Sequence, residues 1–122
     1  GLYQGYGTFS QPNWEIYKGE WNKGNKEGLG NSVYANGDKY EGEWKDSSFH
    51  GTGNYFFSDG EEYIGEFIKG KFHGKGKFIS SNGNTFEGEW RNNEKWNGSE
   101  LDKDGNVIYN IENGEHDITF NL

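Results

Sequence analysis

The stretch YEGEWKDSSFHGTGNYFFSDGEE (40–62) is followed directly by YIGEFIKGKFHGKGKFISSNGNT (63–85), and the two align without a gap. Tyr40-Glu41-Gly42-Glu43-Trp44 stands over Tyr63-Ile64-Gly65-Glu66-Phe67. Gly51-Thr52-Gly53 stands over Gly74-Lys75-Gly76, and Asp59-Gly60 over Asn82-Gly83. The frame continues outward in both directions. Upstream lie Tyr17-Lys18-Gly19-Glu20-Trp21, Gly28-Leu29-Gly30 and Asn36-Gly37; downstream lies Phe86-Glu87-Gly88-Glu89-Trp90, each 23 residues from its counterpart. Gly1, Gly5, Gly7 and Phe9 precede Gly70, Gly74, Gly76 and Phe78 by three periods, so the chain enters midway through a repeat and reads as a piece of something longer. A fixed period of this length is the signature of a repeat architecture.

Each unit reads as two short strands. Alternation along Tyr17-Lys18-Gly19-Glu20-Trp21 puts Tyr17, Gly19 and Trp21 on one face and Lys18 and Glu20 on the other. Asn-Gly and Asp-Gly are preferred two-residue hairpin turns, because both central positions need positive φ. The turn at Asn36-Gly37 then joins a strand ending near Ala35 to one beginning near Lys39, and the stretch from Asn22 to Glu27 forms a longer loop opposite. No segment has a helical period, and glycine is frequent, so no helix is expected. A strand glycine lets a neighbouring ring lie flat on exposed backbone. The expected fold is all-β: an elongated, twisted, single-layer antiparallel sheet of stacked hairpins.

Composition agrees with a thin sheet whose core is aromatic. The chain has 122 residues, 21 Gly, one Pro, five Trp, eight Tyr and nine Phe, and only 30% hydrophobic residues overall. Disordered chains are poor in aromatics and lack such regular spacing. The formal net charge of −8 argues against nucleic acid as a partner, because phosphate neutralisation needs a basic face. Cys is absent, which removes disulfides and thiolate metal sites without fixing the compartment. No apolar run approaches the roughly 20 residues of a membrane span.

Tyr-x-Gly-Glu-Trp followed by Gly-x-Gly at this period resembles the MORN repeat (membrane occupation and recognition nexus). The resemblance covers residues 1 to about 98: a half repeat 1–16, repeats 17–39, 40–62 and 63–85, and a degenerate repeat from 86. It implies a concave, aromatic-rich face that binds partner proteins or self-associates, and in some members phosphoinositides. It implies a cytoplasmic, membrane- or cytoskeleton-associated setting, and no catalytic residues or cofactors. The fourth repeat departs from the pattern. The register that elsewhere gives Gly-x-Gly gives Asn97 and Ser99 around Gly98, which puts its second strand in doubt. Val107 to Glu112, Asn113-Gly114 and Glu115 to Asn121 read as a last hairpin, and 99–122 as a cap covering the open edge.

The residues that carry chemistry have mostly structural readings. Glu20, Glu43, Glu66 and Glu89 recur two strands apart, roughly 10 Å, too wide for a retaining glycosidase pair. A repeated position also offers one environment many times, where a catalytic pair needs two. Hydrogen bonding to loop backbone is their expected role. His50 and His73, one repeat apart, cannot share a zinc ion and read as solvated loop residues. Asp102-Lys103-Asp104-Gly105-Asn106 has its glycine too early for a calcium loop and reads as a turn. Gly70 to Gly76 lacks the ending and the helix of a phosphate-binding loop. Catalytic and metal-binding residues are therefore expected to be none.

Two sets remain as candidate binding residues. The motif rings Tyr17, Trp21, Tyr40, Trp44, Tyr63, Phe67, Phe86 and Trp90 form a stripe suited to anchoring a protein or peptide segment, with the middle ones expected to serve as core and Tyr34, Tyr55 and Phe57 to stay available. Lys69, Lys71, His73, Lys75 and Lys77 form a basic cluster in an acidic chain, a candidate patch for a phosphoinositide headgroup or anionic membrane. The expected function is a non-catalytic scaffold for protein interaction or self-association, a second copy included, with phospholipid binding as the alternative.

Overall fold

The computed structural model describes residues 5–10 and 15–116, with the side chains of 9 and 10 excepted. Its eleven strands are β1 (Gly5–Ser10), β2 (Glu15–Asn22), β3 (Asn25–Tyr34), β4 (Lys39–Lys45), β5 (Ser48–Phe56), β6 (Glu62–Ile68), β7 (Lys71–Ile79), β8 (Thr85–Arg91), β9 (Glu94–Leu101), β10 (Val107–Glu112) and β11 (Glu115–His116). They form one open antiparallel sheet in strict chain order. The expected all-β, single-layer architecture is the one observed. The described residues contain no helix.

Alternation assigns the faces as expected. On β4 the inward residues are Tyr40, Gly42 and Trp44 and the outward ones Glu41 and Glu43. The hydrogen-bond register sets glycine against glycine across each repeat: Gly19 opposite Gly30, Gly42 opposite Gly53, Gly65 opposite Gly76. A motif ring lies over each pair. A Cβ on Gly53 would fall inside the Tyr40 ring, and one on Gly42 would meet the Gly53 backbone. The ring therefore packs on bare main chain, and its hydroxyl donates to the carbonyl of Glu43 at 2.7 Å. Tyr17 and Tyr63 bond Glu20 and Glu66 in the same way. This is how a single sheet acquires a core: Tyr17, Tyr40, Tyr63, Phe67 and Phe86 are at most 1% exposed.

The two ends of the hairpins exchange the roles that the spacing suggests. At Asn36-Gly37 only the glycine has positive φ (+95°). Gly37 N–H donates to the Tyr34 carbonyl and Tyr34 N–H to the Asp38 carbonyl, both at 2.9 Å. That is a three-residue loop, a turn closed by one left-handed glycine. The Asp59-Gly60 and Asn82-Gly83 loops repeat the pattern. The tight two-residue turns are at the opposite end: Lys23-Gly24, Asp46-Ser47, Lys69-Gly70, Asn92-Asn93 and Asn113-Gly114, where both residues have positive φ. The supposed long loop from Asn22 to Glu27 is therefore two strand ends around a tight turn. Asn22 pairs with Asn25 and Lys26 with Trp21, and only Glu27 belongs to the bulge that follows. Between the Gly42–Gly53 and Trp44–Phe49 pairs, Glu43 alone faces His50, Gly51 and Thr52.

The fourth repeat keeps its second strand. β9 pairs with β8 through Gly88 opposite Gly98 and Trp90 opposite Lys95. Phe49 follows Trp44 by five residues and Lys95 follows Trp90 by five, but Gly53 follows Phe49 by four and Gly98 follows Lys95 by three. The bulge has lost one residue, so Gly98 moves into the place of the second motif glycine beneath Phe86. β9 also runs across the expected array–cap boundary at 98/99 and pairs with β10. The last hairpin turns at Asn113-Gly114 as expected; the alternation at Ile118, Phe120 and Leu122 lies outside the described residues.

Candidate interaction site

The outward glutamates clasp the bulges. Glu43 accepts the Thr52 N–H and hydroxyl, each at 2.7 Å, while Glu20 accepts Leu29 N–H at 2.6 Å and Glu66 accepts Lys75 N–H at 2.5 Å. These amides follow Gly28, Gly51 and Gly74, whose positive φ opens the bulge. A Cβ on Gly51 would strike the Glu43 carboxylate at 2.6 Å. Thr52 holds the Glu43 carboxyl below the usual range by its amide first and its hydroxyl second. Glu89 faces Asn97 across the shortened bulge and makes no such bond among the described residues.

On the inner face, burial decides what the motif rings do. Tyr17, Tyr40, Trp44, Tyr63, Phe67, Phe86 and Trp90 are 0–4% exposed, and Trp21 is half-buried. The middle rings Tyr40, Trp44, Tyr63 and Phe67 are core, as expected, and Tyr17, Phe86 and Trp90 join them, so these seven leave a partner almost no surface. Their edges lock to one another, with Tyr40 edge-on to both Trp44 (5.1 Å) and Phe67 (5.3 Å). Trp44 and Trp90 donate their indole N–H groups to the Gly30 and Gly76 carbonyls. Burial pushes the Tyr17 hydroxyl up to about 12, and raises Tyr40 and Tyr63 further.

A second layer lies on this floor, and one register position decides its chemistry. Residues 26, 49, 72 and 95 each cover a motif ring. Phe49 stacks on Tyr40 at 4.0 Å and Phe72 on Tyr63 at 3.9 Å. Lys26 instead lies over Tyr17 (5.2 Å) and Trp44 (5.0 Å), and Lys95 over Phe86 (5.3 Å). Both lysines are ion-paired, Lys26 to Glu15 at 2.5 Å and Lys95 to Glu100 at 3.1 Å. Ser32 donates to the other oxygen of Glu15 at 2.7 Å, and Tyr109 donates to Glu100 at 3.2 Å. Burial lowers the Lys95 pKa, but Glu100 more than reverses this and holds it above its ordinary value.

Between the two lysines the second layer is continuous aromatic surface. Tyr34 stacks on Tyr55 at 6.4 Å, and Phe57 touches Tyr55 (4.7 Å) and Phe78 (5.9 Å). The Tyr55 hydroxyl donates to Asp38 at 2.7 Å, and Ser58 N–H to its other oxygen at 2.8 Å. Burial raises the Asp38 pKa, yet these bonds outweigh it and keep the carboxyl below its usual range. A cleft of about 350 Å³ opens among Phe49, Tyr55, Phe57, Phe67 and Phe72, with Gly70 and Asn93 at its rim. Phe49, Tyr55, Phe57 and Phe72 are half-buried, so each keeps part of its ring toward this opening.

The basic cluster is divided by the fold. Lys69 is the first residue of a tight turn, and Lys71 pairs with Ile68 at the strand end beside it. His73 is half-buried and its Nδ1 accepts Asn92 N–H at 3.3 Å, so it ties the β7 bulge to the next tight turn. Lys75 and Lys77 stand on the outer face directly opposite Glu89 and Glu87. Neither forms an ion pair among the described residues, which hold no group of three His, Asp or Glu side chains able to bind a metal. Asp102 turns its carboxylate onto the Asp104 and Asn106 amides, both at 2.9 Å, which is a turn closure.

The geometry on both faces is a hairpin repeat with a ring-on-glycine floor and a clasped bulge. Models of the MORN repeat match the chain at 1–16, 17–39, 40–62, 63–85 and 86–96, and the chain belongs to the MORN repeat family. The family is generally non-enzymatic, and its repeats are consistent with a scaffold for interaction. No curated protein matches the chain.

Proposed function

We propose that the chain is a non-catalytic scaffold that holds a segment of a partner protein on its inner face, in the cleft among Phe49, Tyr55, Phe57 and Phe72. The observation that carries this reading is the half-buried second ring layer, which leaves aromatic surface in a concave opening rather than singly scattered. Rings already held by stacking lose little entropy when an apolar anchor enters. The anionic chain favours basic residues flanking that anchor. A phage-displayed peptide library selected on the wild-type chain tests this. Selected peptides are expected to carry an apolar anchor and to lose binding roughly tenfold or more to Phe57→Glu. Peptides that bind Phe57→Glu as well as wild type exclude the cleft.

The alternative is phosphoinositide binding by Lys69, Lys71 and Lys75, which are exposed and unpaired among the described residues. Glu66, Glu87 and Glu89 interleave with the outer-face lysines and oppose an anionic surface. Liposome co-sedimentation with and without phosphoinositides separates the two readings. Pelleting lost in Lys71→Glu/Lys75→Glu establishes the lipid module, and absence of pelleting by wild type removes it. Residues 99–122 are read as a cap on the array, with β10 covering the edge of β9.

A further inference from the structure

The sheet face opposite the rings carries a pattern of its own. In the row nearest the three-residue loops, the register sets Val33 beside Lys39, Lys39 beside Phe56, Phe56 beside Glu62 and Glu62 beside Ile79. From Phe56 the row reads a charge and then an aliphatic residue in each direction, with opposite signs on the two sides. The Phe56 ring contacts no other aromatic ring among the described residues. Lys39 and Glu62 stand two strand spacings apart, roughly 10 Å, and form no ion pair with each other or with any described residue. Val33 is 41% exposed.

We propose that this row docks a second copy of the chain, back to back. A two-fold axis parallel to β5 and passing over Phe56 reverses the strand order but keeps each residue's level along the strands. It lays Phe56 against the partner's Phe56, Lys39 against the partner's Glu62, and Val33 against the partner's Ile79. In the next row it sets Glu41 against the partner's Ile64 and Asn31 against the partner's Lys77, with no like charges opposed. One row further it would oppose Glu43 to the partner's Glu66, which confines the contact to the first two rows. Sheet twist of about 20–25° per strand also limits back-to-back contact to a few strands, and the five residues lie on the consecutive strands β3 to β7. Ten residues a side is below the roughly 20–30 of a standard interface, so the dimer is weak and forms at micromolar or higher concentration.

Lys39→Glu and Glu62→Lys provide the test by sedimentation equilibrium across that range. The wild-type chain is expected to dimerise reversibly, and each single variant to lose at least roughly tenfold in association constant. Mixing the two variants one to one is expected to restore the dimer, because each supplies the charge the other lacks. The double variant Lys39→Glu/Glu62→Lys restores it within one chain type, and matching circular dichroism shows that all forms are folded. A monomeric wild type overturns the proposal. So does a dimer that both single variants retain, or a mixture no more associated than its components.

Discussion

Repeats 40–62 and 63–85 and their flanking repeats share one backbone plan yet cover the motif ring in two different ways. In the middle pair a phenylalanine stacks on the tyrosine. In the flanking repeats a lysine lies over the ring, tethered to a carboxylate. The accompanying residues change together. The position facing the motif ring across the sheet is Tyr55 and Phe78 in the middle, but Ser32 and Glu100 at the flanks. Ser32 is small enough to admit Glu15 and supplies it a hydrogen bond, while Glu100 is itself the lysine's partner. The ring must be shielded from water in every repeat; whether the cover is apolar decides where a partner finds aromatic surface. The cleft lies between the middle repeats because only there is the cover a ring.

The comparison predicts unequal costs. Phe72→Ala removes a stacked ring contacting Tyr63, Phe67 and Trp90 and is expected to cost about 3 kcal/mol. Glu100→Ala leaves Lys95 over Phe86 without its carboxylate and is expected to cost about 2 kcal/mol. The decisive variant is Lys95→Phe/Glu100→Tyr, which writes the middle pattern into the fourth repeat. Because a well-packed apolar pair replaces a partly buried ion pair with little loss, it is expected to unfold within about 1 kcal/mol of wild type in urea. A much larger loss would mean that the shortened bulge, and not the choice of side chain, forbids the stack.

Alkali probes the floor that the two regions share. Tyr17, Tyr40 and Tyr63 have folded-state pKa values above their ordinary 10, chiefly through burial. The unfolded chain releases these protons first, so their contribution to stability is complete below about pH 10 and is lost as pH rises through the folded values. The share of tyrosinate absorbance that these three buried rings contribute is expected to appear together with the loss of aromatic circular dichroism, in one step above pH 10. Separate ionisation with the sheet intact would show that the hydroxyls reach solvent without unfolding.

The smallest effect distinguishes the two hairpin ends. Gly37→Ala puts a Cβ at φ +95°, 3.2 Å from the Ser58 Cβ, and is expected to cost about 1 kcal/mol. Asn36→Ala has no positive φ to strain and loses the Asn36 side-chain bonds to the Asp38 N–H and carboxyl, in a loop open to solvent, about 0.5 kcal/mol. Equal costs from thermal unfolding would mean that both positions are left-handed, as in a two-residue turn.

Spacing alone determined the repeat, the antiparallel hairpins, the face shared by Tyr17, Gly19 and Trp21, and the backbone-bonding role of Glu20, Glu43 and Glu66, though not of Glu89. All of these follow from alternation within one strand and from a period that puts equivalent residues in equivalent places. Tertiary structure decided the rest. The tight turns lie at Asp46-Ser47 and its counterparts because cross-strand pairing, Lys45 with Ser48 and Trp44 with Phe49, takes up residues that sequence counting assigns to a loop, and pairing is a property of two strands together. Gly98 took the motif position because pairing with Gly88 and packing under Phe86 outweighed strict periodicity. Phe49, Phe72, Lys26 and Lys95 became the second layer through contacts with rings on neighbouring strands, and Phe56, Lys39 and Glu62 became a row through register. Such contacts join residues far apart in the chain, and no local pattern carries them.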